Sequence, residues 1–236
     1  MKTLINITLA ASLAALAAQA AQAAEITTLS SFSEAYTSDS DNDGSGDGAN
    51  NSAFDFAYAG VMGPTGTEVR KSFFNIDLPT NDGVNNLTSS ADISNATLRI
   101  YYSGKHANVD SDLSLYYETK SSMTTVAADM YSTDWTDTGL GITTSDATGQ
   151  YYEFDVTSFV KASYDDANSI ASFRFETDSV SFYGTGPAWY RLGGTDDDPA
   201  SPGVPELVLT TVPEPSSFAL LAGCFALTSI MIRRRR

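Results

Sequence analysis

Disulfides are the first thing this chain lacks the means to make. Its single cysteine, Cys224, sits in an apolar run near the C-terminus, so the rest of the chain must be held by packing, with or without a metal. Its single histidine, His106, excludes a multi-histidine metal centre. It falls in "YYSGKHANVD", which reads as a loop, and no Ser-His-Asp or Cys-His set can be assembled around it. Basic charge is scarce as well: 13 Lys and Arg stand against 29 Asp and Glu. Five of the bases, Lys2 and Arg233 to Arg236, lie at the two ends, where Glu214 is the only acid. The central body keeps 28 acids and 8 bases, a net charge near −20. That balance excludes a nucleic-acid partner, whose binding needs a basic surface. It suits calcium, solubility outside the cell or a salty medium. Carboxylate pairs for glycoside hydrolysis need about 5–10 Å between carboxyls. Among 28 acids some pair meets that by chance, so the acids give no argument for catalysis, and the chain reads as a non-enzyme.

Long hydrophobic runs occur only at the ends. Lys2, an apolar stretch from Leu4 to Ala18 and the small-residue segment "AQAAQAAEI" have the layout of a secretory signal peptide over residues 1–23, cleaved after Ala23. At the other end, Ser216 to Ile232 carries no charge and is followed at once by Arg233, Arg234, Arg235 and Arg236. At about 1.5 Å per residue this run spans roughly 25 Å, the low end for a transmembrane helix. The arginines would stay on the cytoplasmic side and leave the body outside. Just before the run, Pro213-Glu214-Pro215 holds the chain extended, because two prolines fix φ and oppose a helix.

The order Pro213-Glu214-Pro215, apolar span, arginine cluster over residues 212–236 resembles the PEP-CTERM sorting signal of Gram-negative bacteria. The resemblance implies that an exosortase-type membrane protease recognises the proline-bracketed motif and cuts near it. It also implies a link to biofilm and exopolysaccharide production. The expected route is export, transient anchoring in the inner membrane, then the cell envelope or extracellular matrix.

The body, residues 24–211, is the size of one domain. It reads as all-β. "ATLRIYY" puts Ala96, Leu98, Ile100 and Tyr102 on one face and Thr97, Arg99 and Tyr101 on the other. "LSLYY" groups Leu113, Leu115 and Tyr117. "YYEFDV" groups Tyr152, Phe154 and Val156, and "ASFRFE" sets Phe173 and Phe175 against Arg174. "FDFAYAG", "VRKSFFNIDL" and "ELVLTT" complete the strands. A turn or two of helix over "SFVKASY" would be capped by Thr157. Many short strands with polar turns predict an antiparallel sandwich. The sequence "VRKSFFNIDLP", "ISNATLRIYY", "DWTDTGLGIT", "YYEFDVTSFVKA", "SFRFE", "PELVLTT", taken in order from Ser30 to Thr211, resembles the DNRLRE domain, also classed as carbohydrate-binding module family 96. That resemblance implies a jelly-roll β-sandwich and, in some members, polysaccharide binding. Against it stands an acidic insert at about 37–52, "TSDSDNDGSGDGANNS".

Within that insert Asp39, Asp41 and Asp43 alternate, Gly44 follows, and Asp47 closes the run. Alternate carboxylates on a turning chain converge on a hard cation, so these four are the candidate calcium ligands. Against this, Asn50 occupies the place of a bidentate Glu and no helix flanks the loop. The plain alternative is a solvated acidic loop. Trp135, Trp189 and Tyr190 are candidate platforms for sugar faces. Trp189, Tyr190 and Arg191 fall in "YGTGPAWYRLGG", which reads as an exposed loop; core packing is the competing role for each ring. Arg70 with Lys71, or Arg99 with Arg174, would supply a local basic patch unless acids pair with them. The leading expectation is a non-catalytic envelope or exopolysaccharide-matrix protein. The alternatives are a carbohydrate-binding module for a polysaccharide and a polysaccharide-cleaving enzyme.

Overall fold

The computed structural model describes residues 25–28, 32–52, 56–78, 87, 89–166, 170–194, 203–212 and 224. The expected signal peptide, Pro213-Glu214-Pro215, the apolar run other than Cys224, and Arg233 to Arg236 lie outside the described residues. No helix among the described residues is long and apolar enough to cross a membrane.

Among the described residues twelve strands run β1 (Glu25–Thr28), β2 (Phe32–Asp39), β3 (Gly48–Asn50), β4 (Phe56–Met62), β5 (Glu68–Asp77), β6 (Ile93–Lys105), β7 (Leu113–Lys120), β8 (Thr136–Ile142), β9 (Gln150–Asp155), β10 (Ile170–Thr177), β11 (Ala188–Gly193) and β12 (Glu206–Thr211). An α-helix, α1 (Thr157–Asp165), joins β9 to β10. Every described strand pair is antiparallel. A first layer runs β3-β2-β5-β10-β7-β8. A second centres on β6, with β9 on one edge and β12 and β11 sharing the other; β1 adds to β12, and β4 to β11. Gly60–Met62 of β4 pair with Glu68–Arg70 of β5, so the two layers form one continuous sheet folded over on itself.

The strand alternation read from the sequence makes the core. Ala96, Leu98, Ile100 and Tyr102 point inward from β6 and are fully buried, as are Phe173 and Phe175 of β10. Phe154 of the second layer meets Phe175 of the first, ring centroids 6.0 Å apart. Each large apolar side chain enclosed this way contributes about 1.5–3 kcal/mol.

Three expectations are corrected here. Thr157 is the first helical residue and Val156 holds the N-cap position. The Thr157 hydroxyl donates to Asp155 Oδ1 (2.6 Å) and accepts the Ala96 N–H (2.8 Å), tying the helix start to β6 instead of capping it. "YGTGPAWYRLGG" contains a strand, β11, where a loop is expected. Arg174 does point away from Phe173 and Phe175, yet it is only 4 % exposed. The connection 121–135 lies over that outer face: Arg174 Nη1 donates to the Asp129 carbonyl (3.2 Å) and Asn75 Nδ2 to the Met123 carbonyl (2.8 Å).

Candidate functional site

Strand alternation decides which of the singled-out side chains share a surface. In β11, Tyr190 turns inward, is fully buried and donates its hydroxyl to the Ser111 carbonyl (3.0 Å). Trp189 and Arg191 turn outward and are half-buried. The expected trio is therefore divided: Tyr190 belongs to the core, because residues one apart in a strand face opposite ways. Trp135 is 8 % exposed and lies under the first layer's cover. Its ring packs edge-on to Phe73 at 5.4 Å and under the Arg174 guanidinium at 4.8 Å, so both surroundings are protein.

The outer face around Trp189 collects further groups. The register opposes Trp189 to Gly60 and Arg191 to Tyr58 across β11 and β4. Directly opposed residues share a face, so Phe56 and Tyr58 stand beside Trp189 and Arg191. Tyr58 meets Trp189 edge-on, centroids 5.5 Å apart. His106 packs on the other side of Trp189 at 5.6 Å, and its backbone N–H donates to the Trp189 carbonyl (2.8 Å). Arg191 lies over the Phe56 ring at 4.6 Å. Among the described residues its Nε has no hydrogen-bond partner. Gly60 is required here: its φ is +121°, and a Cβ would stand 2.3 Å from the Ala188 carbonyl oxygen.

Phe56 and Tyr58 are missed by a reading that looks for tryptophans in loops. The signal is nonetheless present in "FAYAG", where large rings alternate with Ala57 and Ala59. The alanines are buried and the rings are half-exposed, the reverse of what a strand on a core normally shows.

Beside this face, a recess of about 110 Å³ opens between β2 and β4, lined by Glu34, Tyr36, Phe56, Ala57, Tyr58 and Arg70. Arg70 stacks on Tyr36 at 4.2 Å and is held by Glu68 through two hydrogen bonds, 2.8 and 2.9 Å. The expected basic patches do not form. Arg70 and Lys71 are neighbours in β5 and face opposite ways; Lys71 pairs with Glu176 (2.5 Å). Arg99 pairs with Glu153 and Glu206 on the second layer, whereas Arg174 is enclosed on the first.

The acidic insert is a hairpin, β2 and β3 joined by residues 40–47. Oxygens of Asp39, Asp41 and Asp43 all come within 4.8 Å of one another. Asp39 is buried and accepts from the Asn42 N–H (2.6 Å), the Gly44 N–H (3.2 Å) and the Tyr131 hydroxyl (2.8 Å). Asn42 and Gly44 take positive φ to make this turn. Burial works to raise the Asp39 pKa, but the Tyr131 hydroxyl and the backbone donors outweigh it and hold the carboxyl below its usual range. Asp41 is pushed up, by desolvation and by the Asp43 charge. The Asp39 shift reflects its hydrogen bonds, whereas that of Asp41 includes repulsion from Asp43, which a divalent cation would relieve. Asp47 stands outside this group and accepts from the Ser40 N–H (2.7 Å). Among the described residues, Asp39, Asp41 and Asp43 are thus the ones that could hold a metal.

The framework is an antiparallel all-β module with an outward shelf of aromatic rings on which the Arg191 guanidinium rests. The chain belongs to carbohydrate-binding module family 96, whose sequence model matches residues 26–182. No curated protein matches the chain. The family match covers Tyr36, Phe56, Tyr58 and Arg70; Trp189 and Arg191 lie beyond it, in the strand that completes the shelf.

Proposed function

We propose that this protein is a non-catalytic polysaccharide-binding module whose binding surface is the outer face of β4 and β11. The observation that carries this reading is Arg191. In a body with 28 acids, its half-buried guanidinium rests on Phe56 beside Tyr58 and Trp189 and, among the described residues, forms no ion pair. Aromatic rings cover the apolar faces of sugars, and a fixed guanidinium donates to their oxygens. The finer fold in this reading is a jelly roll. Binding to an immobilised glycan array is the test. The native body binds at least one polysaccharide class, and Trp189→Ala lowers that affinity about tenfold or more without changing the melting temperature by more than a few degrees. A native body that binds no glycan, or a variant that binds equally well, ends this reading.

Two further parts of the proposal accompany it. The C-terminal segment is an exosortase-read sorting signal that delivers the exported body to the envelope or exopolysaccharide matrix after transient residence in the inner membrane. Asp39, Asp41 and Asp43 take up calcium, which fixes the β2–β3 hairpin.

A further inference from the structure

We infer that the shelf is a diagonal track, running from Phe56 to His106, for at least three consecutive sugars of a single soluble polysaccharide chain; the inference rests on the polysaccharide-binding reading of that shelf. Length is the first argument. Trp189 is opposed to Gly60, four residues along β4 from Phe56. His106 follows β6, the strand on the other side of β11, and its backbone N–H is bound to the Trp189 carbonyl. Four residues at ~3.4 Å each and two strand spacings of ~4.8 Å make a diagonal of about 17 Å. A pyranose linked through opposite ring carbons advances a chain by roughly 5 Å, judged from single bonds of ~1.5 Å. Three sugars therefore fill the row of Phe56, Tyr58, Trp189 and His106.

The direction of the track follows from what closes the surface beside it. Gly193 faces Phe56 across β11 and β4, and a Cβ there would stand 2.0 Å from the Gly203 carbonyl oxygen. Gly203 in turn lies against Tyr101, and the Tyr151 hydroxyl donates to the Val204 carbonyl (3.2 Å). Backbone thus covers the outer face of β6 level with Phe56. At the other end of the row the β6 side carries His106, half-buried and in contact with Trp189. A chain lying over Phe56 is kept off β6 there and meets that side only at His106. The ring angles then choose the kind of chain. Tyr58 and Trp189 are inclined by 86°, Trp189 and His106 by 54°, so no plane rests on all three. A crystalline polysaccharide face is flat and would touch one ring at a time. A single chain in solution turns at each glycosidic bond and offers a different face to each ring. The row lies on the outward face of the sheet, so it grips a chain along its length and not by one terminal sugar.

Oligosaccharides of two to six units, cut from the polysaccharide that the array shows bound, test the length by calorimetry. Affinity is expected to rise about tenfold or more from two units to three and to level off soon after. His106→Ala and Phe56→Ala remove opposite ends of the row, so each should shrink that step and pull the longer chains toward the disaccharide. A purely structural role for either ring would weaken every length alike. Trp189→Ala, at the middle, should weaken all lengths. Sedimentation with microcrystalline cellulose and with chitin tests the kind of chain, and the protein is expected to stay in solution. Melting curves check that the variants fold, and the native length series and sedimentation stand if one does not. A disaccharide bound as tightly as a hexasaccharide, a step unchanged in both variants, or retention on the crystals overturns the inference and leaves the polysaccharide reading intact. Binding to no glycan removes both.

Discussion

Glu118 is a residue at odds with its surroundings. It lies on the outer face of β7, near the cover formed by residues 121–135, and among the described residues its Oε2 has no hydrogen-bond partner. Burial pushes its pKa up, only partly opposed by Lys120. The sign follows directly. Below the ordinary value of about 4.5 both folded and unfolded chains hold the proton, and burial of the neutral acid costs little. As pH rises through the higher folded value, the native state must ionise a poorly solvated carboxyl or keep a proton that solution would take. Glu118→Gln removes that cost. The variant should melt higher than the native protein at pH 7, and the gain should fade as the melts are repeated toward pH 4. A variant that melts lower at pH 7 would show that Lys120 gives Glu118 net stabilisation. Arg174 is enclosed in the same layer, but Glu176 stands 3.2 Å from it and Trp135 and Tyr116 stack on it. Its loss would leave Lys71 as the partner of Glu176 and strip the Trp135 and Tyr116 rings of the cation stacked on them.

At the scale of elements, the strands that were legible in the sequence are those with one apolar and one polar face. β6 from Ala96 to Tyr102, β7 from Leu113 to Tyr117, and β12 follow their alternation residue by residue. β8 and β11 were not legible as strands. In β8, "TDTGLGI" offers too few apolar positions, because it is an edge strand whose partner lies on one side only. In β11 glycine and proline precede a strand that is short but central. The shelf was half legible: tryptophan and arginine drew attention, but only the pairing of β11 with β4 brings Phe56 and Tyr58 to them. Trp135 was unreadable for another reason, since nothing local says that residues 121–135 fold back over the sheet. The hairpin of β2 and β3 is where an element-scale prediction belongs. If calcium binds Asp39, Asp41 and Asp43, a hundredfold excess over Kd adds ~2.7 kcal/mol, about 5–10 °C for a domain of this size. Melts in calcium and in chelator measure it, and Asp41→Asn with Asp43→Asn should abolish the difference. An unchanged midpoint leaves the three acids as solvated side chains around a self-sufficient turn.

For the molecule as a whole, the proposed sorting signal makes a separable claim. Replacing Pro213, Glu214 and Pro215 with alanine leaves the apolar run and four arginines in place. Insertion should survive, since it depends on apolar length and flanking charge. Processing should fail, and the protein should stay in the inner membrane at its uncut mass while the native form is shortened. Mass spectrometry of fractionated cells carrying the protease decides it, and equal cutting of both forms would refute the motif's role. The pairing of β1 with β12 has a consequence of a different kind. Glu25 sits opposite Thr210, so the first described strand finds its neighbour only when nearly the whole chain has been made. Closing a loop of that length precedes any reward from the contact, and topologies rich in such pairings fold in milliseconds to seconds instead of microseconds. A chain emerging from its N-terminus would carry β1 unpaired until β12 arrived, open to chaperones and proteases for that whole interval.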